Sequence, residues 1–421
     1  MKQTIPIWFK QTKIWIIPED RNIIKFLNWA ELKHGYQFRQ YDFTKEWIKI
    51  LKITQIKENG KICLDSCSYI DINRLKDFTK FLVKKWDILM ALTGATIGKV
   101  ARFNYSNKNI LQNYRVWNFI PKNDILCKSF FYYFLNSKIF YNQILSKQTQ
   151  SAQENIGKDE INNMNIIIPS LFEQKKISEI LLSFDNKINI LEKQNKTLEN
   201  IGQVIFKSCF EDYDDFKDNL IESEMGMIPI GWKTGILKDI VTINNKNMSA
   251  KSMDNKLIIH YSIPNYDKQL FPWEEDGTLI LSNKTIIEKN TILVSKLNPR
   301  ESQRIWYTWD LPWVSSTEFI NFISKKNNYW FLYFLLKSNN FYNNFCWYAT
   351  WSTGSRQRVR PGETMNISII LPPENIIDKY DELFKTYIKK ININLNQIET
   401  LKKVRDSLLP RLLNGKIRIK I

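Results

Sequence analysis

Residues 171–198 read LFEQKKISEILLSFDNKINILEKQNKTL, and the spacing of their apolar positions decides the architecture. Ile177, Leu181, Phe184, Ile188, Leu191, Asn195 and Leu198 follow one another at alternating steps of four and three. That is the seam of a helix packed along its length, with Lys, Glu, Asn and Gln on the solvated faces. The same alternation recurs at Tyr380, Phe384, Tyr387, Ile391, Asn394, Ile398 and Leu401. Pro169 and the pair Pro372 and Pro373 mark the helix entries, and Pro410 lies near the end of the second helix. Each seam holds one asparagine, which costs stability but penalises wrong registers. The two helices are therefore expected to pair as an antiparallel coiled coil. The alternative is that each packs on its own globule. A helix of about 35 residues spans about 50 Å.

Outward from the helices, the chain repeats itself at a period of about 200 residues. IIPEDRNIIKFLNWAEL matches MIPIGWKTGILKDIVTI from Met227. KKWDILMALTG at 84 matches EKNTILVSKLN at 288, YYFLNSKIFYNQ matches LYFLLKSNNFYNN, and MNIIIPSLFEQKKI matches MNISIILPPENIID. A period this long means duplicated domains rather than a solenoid. Each copy mixes short β-rich runs with an aromatic helical stretch whose stripe reads as core. The predicted class is α/β (α+β): globules over residues 1–168 and 212–371, and long helices within 169–211 and 372–421.

The 421 residues carry a formal charge of +18 and 43% hydrophobic residues. Such a balance points to a polyanion, most often nucleic acid. An AT-rich gene, supplying Ile, Asn and Lys, is the other source open to it. Apolar runs long enough for a membrane span and a leader-like start are both missing from the reading. Five cysteines without paired spacing beyond Cys63 and Cys67 fit reduced thiols and a cytoplasmic setting. Two distant histidines, His34 and His260, offer no metal site.

Residues 94–99, GATIGK, resemble a phosphate loop, but the two glycines are one residue too close and Val100 stands where a magnesium-binding hydroxyl belongs. A Thr- and Gly-rich hairpin after a buried strand explains the segment. For nucleic acid, the candidate contacts in the first globule are Thr93, Gly94, Ala95, Thr96, Gly98, Lys99, Asn113 and Arg115, with Gln150 and Gln153 in a later polar loop. In the second they are Lys296, Asn298, Arg300 and Arg304 around Pro299, then Ser355, Arg356, Gln357, Arg358 and Arg360 after a run of small residues. Arg pairs bidentately with guanine and Gln with adenine, while either also serves a phosphate. QTQSAQENI and STGSRQRVR differ in chemistry, so the two globules are expected to read different sequences.

At this point the chain resembles the specificity subunits of type I restriction–modification systems. The carriers are TGATIGK at 93–99, KLNPR at 296–300, VSSTEF at 314–319, STGSRQRVRP at 352–361, MGMIPIGWK at 225–233, LFEQKKI at 171–177 and LLPRLLNGKIRI at 408–419. The resemblance spans nearly the whole chain. It implies two target recognition domains, each reading half of a split asymmetric DNA site. The helices, the central and C-terminal conserved regions, would set the spacer and dock two methyltransferase subunits, with restriction subunits joining that core. It implies no chemistry and no cofactor in this subunit: S-adenosylmethionine belongs to the partner methyltransferase, ATP and Mg to the partner restriction subunit. No methylation motif, S-adenosylmethionine loop or helicase P-loop stands in the sequence. The alternative is a stand-alone DNA-binding or scaffold protein without restriction partners.

One anomaly stands apart. Trp is 14 and Gly is 13, whereas a chain of this length ordinarily carries roughly 29 glycines. Several Trp sit where turns are expected, as in KKWDIL and YATWSTGS. Our hypothesis is that Trp15, Trp29, Trp47, Trp86, Trp117, Trp306, Trp309, Trp313, Trp347 and Trp351 include UGA codons read as Gly in the source organism, with Trp232 genuine. Exposed or strained indoles at turns are the structural expectation.

Overall fold

The computed structural model describes residues 9–11, 16–57, 60–106, 109–122, 124–147, 156–269, 273–308, 313–353 and 356–419. The chain divides into two compact units, residues 1–190 with 397–421, and residues 191–396.

In the first unit a four-stranded antiparallel sheet runs in the order Ala30–His34, Val116–Pro121, Ile88–Ala91, Val100–Arg102. The run ILMA is apolar at every position because both faces of its strand are covered. Ile88 and Met90 face one core, with the aromatic helices Lys128–Leu135 and Lys138–Leu145, while Leu89 faces another with Leu51, Phe103 and Ile110. A second sheet places Ile48–Leu51 between Ser68–Ile70 and a parallel Ile110–Gln112.

The second unit repeats this plan. Its four-stranded sheet runs Val241–Ile243, Phe319–Ser324, Thr291–Ser295, Ile305–Tyr307, so the two segments matched in the sequence, ILMA and TILVS, take the same place. A parallel pair recurs between Leu257–Tyr261 and Val314–Ser315.

The long helices are Leu171–Phe210 and Glu374–Leu413, 40 residues each. The hydroxyl of Ser170, beside the expected Pro169, accepts from the Glu173 amide and caps the first. In the first unit, Ile177 and Leu181 are fully buried in one core with Leu412 and Leu413, and Arg405 Nη1 lies 2.6 Å from Asp185 Oδ1. In the second, Asn394 bonds Asn195, Phe384 packs on Phe206, and the Cys209 thiol donates to the Tyr380 hydroxyl. As one index rises the other falls, so the helices run antiparallel in each unit. Phe184, Leu198 and Leu401 are half-buried, and Ile188, Leu191, Ile391 and Ile398 buried, along this seam.

Two refinements emerge. Tyr387 is only half-buried, and its neighbour Ile388 takes the fully buried place. A straight helix drifts against a strict seven-residue repeat, and here the buried face also serves the globule. Phe384 meets Phe334 of the helix Tyr329–Lys337 at 4.5 Å as well as Phe206. Pairing with the other helix and packing on the globule, weighed as alternatives, thus occur together. Asp381 adds a polar link: its carboxylate accepts from the Trp330 and Phe331 amides, both at 2.8 Å, capping that helix. Burial raises its pKa above the ordinary value despite the two donors.

The first unit closes on Arg21, which is fully buried. Its guanidinium donates to Glu173 Oε1 at 2.8 Å, to the Leu412 carbonyl at 3.0 Å and to the Leu413 carbonyl, satisfying the end of the second long helix. Arg418 then pairs with Asp20 at 2.6 Å.

The tryptophans separate into groups. Trp47 and Trp86 have φ of 100° and 73°, a region in which a bulky residue is a genuine outlier. In the repeat, Trp86 stands opposite Asn290, whose φ is 59°. Trp347 and Trp351 are 81% and 67% exposed. Trp29 and Trp306 are instead buried, and Trp117 and Trp313 half-buried, so their indoles are packed. Trp15 and Trp309 lie outside the described residues.

Candidate nucleic-acid interface

In the second unit the chain leaves the buried strand Thr291–Ser295 into the loop 296–304. Asn298 adopts φ 46°, and this turn is stitched to the strand Arg356–Val359. The Asn298 amide donates to the Gln357 carbonyl, and the Gln357 amide donates to Asn298 Oδ1, each at 2.9 Å. The Val359 amide reaches the Lys296 carbonyl at 3.0 Å, and the Lys296 amide the Glu318 carbonyl at 2.9 Å. Three stretches far apart in sequence, KLNPR, VSSTEF and RQRVR, thereby meet at one place.

Their charges are partly spent on each other. Arg358 places Nε 3.1 Å and Nη2 2.8 Å from the two Glu318 carboxylate oxygens. Arg304 grips Asp267 in the same side-on manner, at 2.7 and 3.0 Å, and that hydrogen bonding raises its pKa further. Arg360 is exposed and 3.3 Å from Glu363, a weak surface pair. Arg300 and Arg356 are exposed, and Lys296, Asn298 and Gln357 half-buried. Ser355 lies outside the described residues. Arg358 and Arg304 are thus gripped side-on by carboxylates, and the side chains of Arg300, Arg356 and Arg360 are exposed.

In the first unit the equivalent strand Ile88–Ala91 runs into the turn Gly94–Thr96 and returns as Val100–Arg102. The Gly98 amide donates to the Ala91 carbonyl at 2.8 Å, and the Ala91 amide to the Lys99 carbonyl at 3.0 Å, so GATIGK is a hairpin. Gly94 and Gly98 take φ of 62° and 80°. A Cβ on Gly98 would meet the Tyr141 ring at 2.5 Å, whereas Gly94 opens to solvent. Thr96 bonds the Thr93 carbonyl at 3.1 Å, and the Thr93 hydroxyl is buried without a partner. Lys99 is half-buried, and the side chain of Ala95 is not described.

Asn113, expected at the surface, is buried. Its amide donates to the Leu51 carbonyl at 3.0 Å and its Oδ1 accepts from the Arg115 amide at 3.2 Å, so it shapes the turn that exposes Arg115. Arg115 in turn donates through Nε to the Tyr114 hydroxyl at 2.8 Å. Gln150 and Gln153 lie outside the described residues.

Glu318 and Asp267 are the site residues that sequence reasoning missed. Glu318 sits inside the quoted VSSTEF segment, and an acidic residue amid basic loops was the signal available. Asp267 left no local trace, because its partner is 37 residues away. Among the described residues, no helix is long and apolar enough to cross a membrane, and no cluster of His, Cys, Asp and Glu could hold a metal.

With this geometry in hand, residues 35–200 match the family described as the type I restriction modification DNA specificity domain. The whole chain is similar to the type I restriction enzyme MjaIX specificity subunit of Methanocaldococcus jannaschii, 26% identical over 98% of this chain and 96% of that one. It is also similar to the HindI specificity subunit of Haemophilus influenzae, 26% identical over 37% of this chain and 35% of that one. In fold it resembles a crystal structure of a type I restriction–modification S subunit from M. genitalium, with a TM-score of 0.52 and 18% identity, covering 93% and 96% of the two chains.

Proposed function

We propose that the chain is a specificity subunit of a type I restriction–modification system, in which each of the two units reads one half of a split, asymmetric DNA target. The repetition supports this most directly: Ile88–Ala91 and Thr291–Ser295 hold the same place in the two sheets, and each feeds a candidate DNA-facing loop. The loops differ in charge, hence the unlike halves. The subunit is not an enzyme; recognition is its task.

Each unit combines two kinds of contact. Exposed arginines such as Arg115, Arg300 and Arg356 approach phosphates or base edges. The +18 charge supplies a salt-sensitive attraction to any duplex. The long helices set the gap between the halves and carry two methyltransferase subunits, with restriction subunits added to that core. S-adenosylmethionine then acts in the methyltransferase, and ATP with Mg in the restriction subunit. Both cofactors lie outside this chain.

Inserting one helical turn into both long helices, at facing positions, tests the reading. The bound duplexes selected by the subunit together with its methyltransferase should keep both half-sites and gain a longer gap. An unchanged gap would refute the spacer role.

A further inference from the structure

A second surface loop of the first unit carries chemistry that none of the motifs above includes. Residues 36–47 link the sheet strand Ala30–His34 to Ile48–Leu51. Two aromatic anchors hold its start: Tyr36 and Phe38 pack on Phe78 at 4.8 and 5.3 Å. Asp42 holds its far side. That carboxylate is 3% exposed, accepts the Arg39 amide at 2.6 Å through Oδ2, and accepts Arg74 Nη1 at 2.6 Å through Oδ1.

Between these anchors the chain makes the 3₁₀ turn Gln40–Asp42. Arg39, Gln40 and Tyr41 are all exposed, and Tyr41 is 83% exposed although its ring is large and apolar. The turn is thus ordered from beneath while its three outward side chains cover no part of the core. Ordering cost is the usual penalty for a binding loop, and here the buried Asp42 carboxylate, paired with the half-exposed Arg74, lowers it.

The location is also specific. Tyr36 bridges to Asn113, and the Tyr114 amide donates to the Tyr36 carbonyl at 2.9 Å. The loop therefore springs from the same backbone junction as the turn that exposes Arg115. The three side chains have complementary uses on a duplex: Arg for guanine or phosphate, Gln for adenine, and an aromatic ring for stacking on a base or sugar. Lys45 extends the basic character.

We propose that Arg39, Gln40 and Tyr41 form a DNA-reading loop of the first unit, acting with Arg115 on the same half of the target. This rests on the two-half reading above and adds the residues that discriminate bases in one half.

The test uses the full chain with its methyltransferase partner and duplexes in which each half of the selected site is varied separately. Arg39→Ala and Tyr41→Ala should each weaken binding to the selected duplex by about tenfold. They should relax base preference in one half only, with the melting temperature unchanged. Asp42→Asn should relax the same half and lower the melting temperature, since it loosens the turn. Unchanged affinity and preference in both alanine variants would overturn the assignment. So would an equal loss on every duplex, which marks phosphate contact alone. A wild-type complex without base preference in either half would overturn the two-half reading itself, and this loop's role with it.

Discussion

Asn394 Nδ2 donates to Asn195 Oδ1 at 2.8 Å, joining the two long helices of the second unit through their only seam asparagines. Asn394 is fully buried, and its own Oδ1 has no partner. A half-satisfied buried amide costs stability, and its use is to specify register. Replacing both residues, Asn195→Leu with Asn394→Leu, should raise stability by about 1–2 kcal/mol in chemical denaturation. A less stable double variant would show that the amide pair is a net contributor.

The helices and the duplication were legible because both rest on patterns that repeat along the chain. Alternating steps of four and three located Ile177, Leu181, Asn195, Phe384 and Asn394, and the repeat placed ILMA and TILVS in one sheet position. Less legible was anything set by distant pairing. Arg358 reads as a free base-contacting arginine until Glu318, 40 residues away, is brought to it. Asn113 reads as a surface amide until its turn is seen buried against Leu51. The 36–47 loop carries no motif, and its rigidity comes from Arg74, 32 residues beyond Asp42.

Glu318 and Arg358 form a bidentate pair, with side chains 25% and 34% exposed, that ties the VSSTEF segment to the RQRVR strand of the second unit. Glu318→Ala should cost about 1 kcal/mol of stability, given the solvent access. Arg300→Ala should leave stability unchanged and weaken specific binding by about 1–3 kcal/mol where it meets a base. Thermal melts and binding to selected and scrambled duplexes check both. An equal Arg300→Ala loss on all duplexes would identify a phosphate contact.

Arg21 and Glu173 form a buried pair at the close of the first unit, with side chains 0% and 9% exposed. Arg21→Met leaves Glu173 facing Arg418 at 3.4 Å and removes the guanidinium donor from the Leu413 and Leu412 carbonyls, of which Leu412 keeps the Gly415 amide at 3.3 Å. The expected loss is about 3–5 kcal/mol by calorimetry. Adding Glu173→Leu should recover part of it; no recovery would place the cost in the carbonyls rather than the carboxylate.

Trp47 and Trp86 occupy left-handed backbone with rings 60% and 46% exposed. Trp86 loses stacking with Arg102, 5.0 Å from its ring, if shortened to glycine, but the backbone strain is larger. Trp47→Gly and Trp86→Gly should each stabilise the chain by about 1 kcal/mol in denaturant melts. The gene should carry UGA at both positions; UGG there would contradict the glycine hypothesis. Buried Trp29 and Trp306, opposite Ile240 and Ala101 in the repeat, are expected to remain indoles.

A genome-wide map of methylated bases, from cells in which this subunit and its methyltransferase are the sole active pair, should show one motif made of two unlike half-sites at a fixed gap of unspecified bases. A palindromic motif, or a single contiguous one, would contradict the two-half reading.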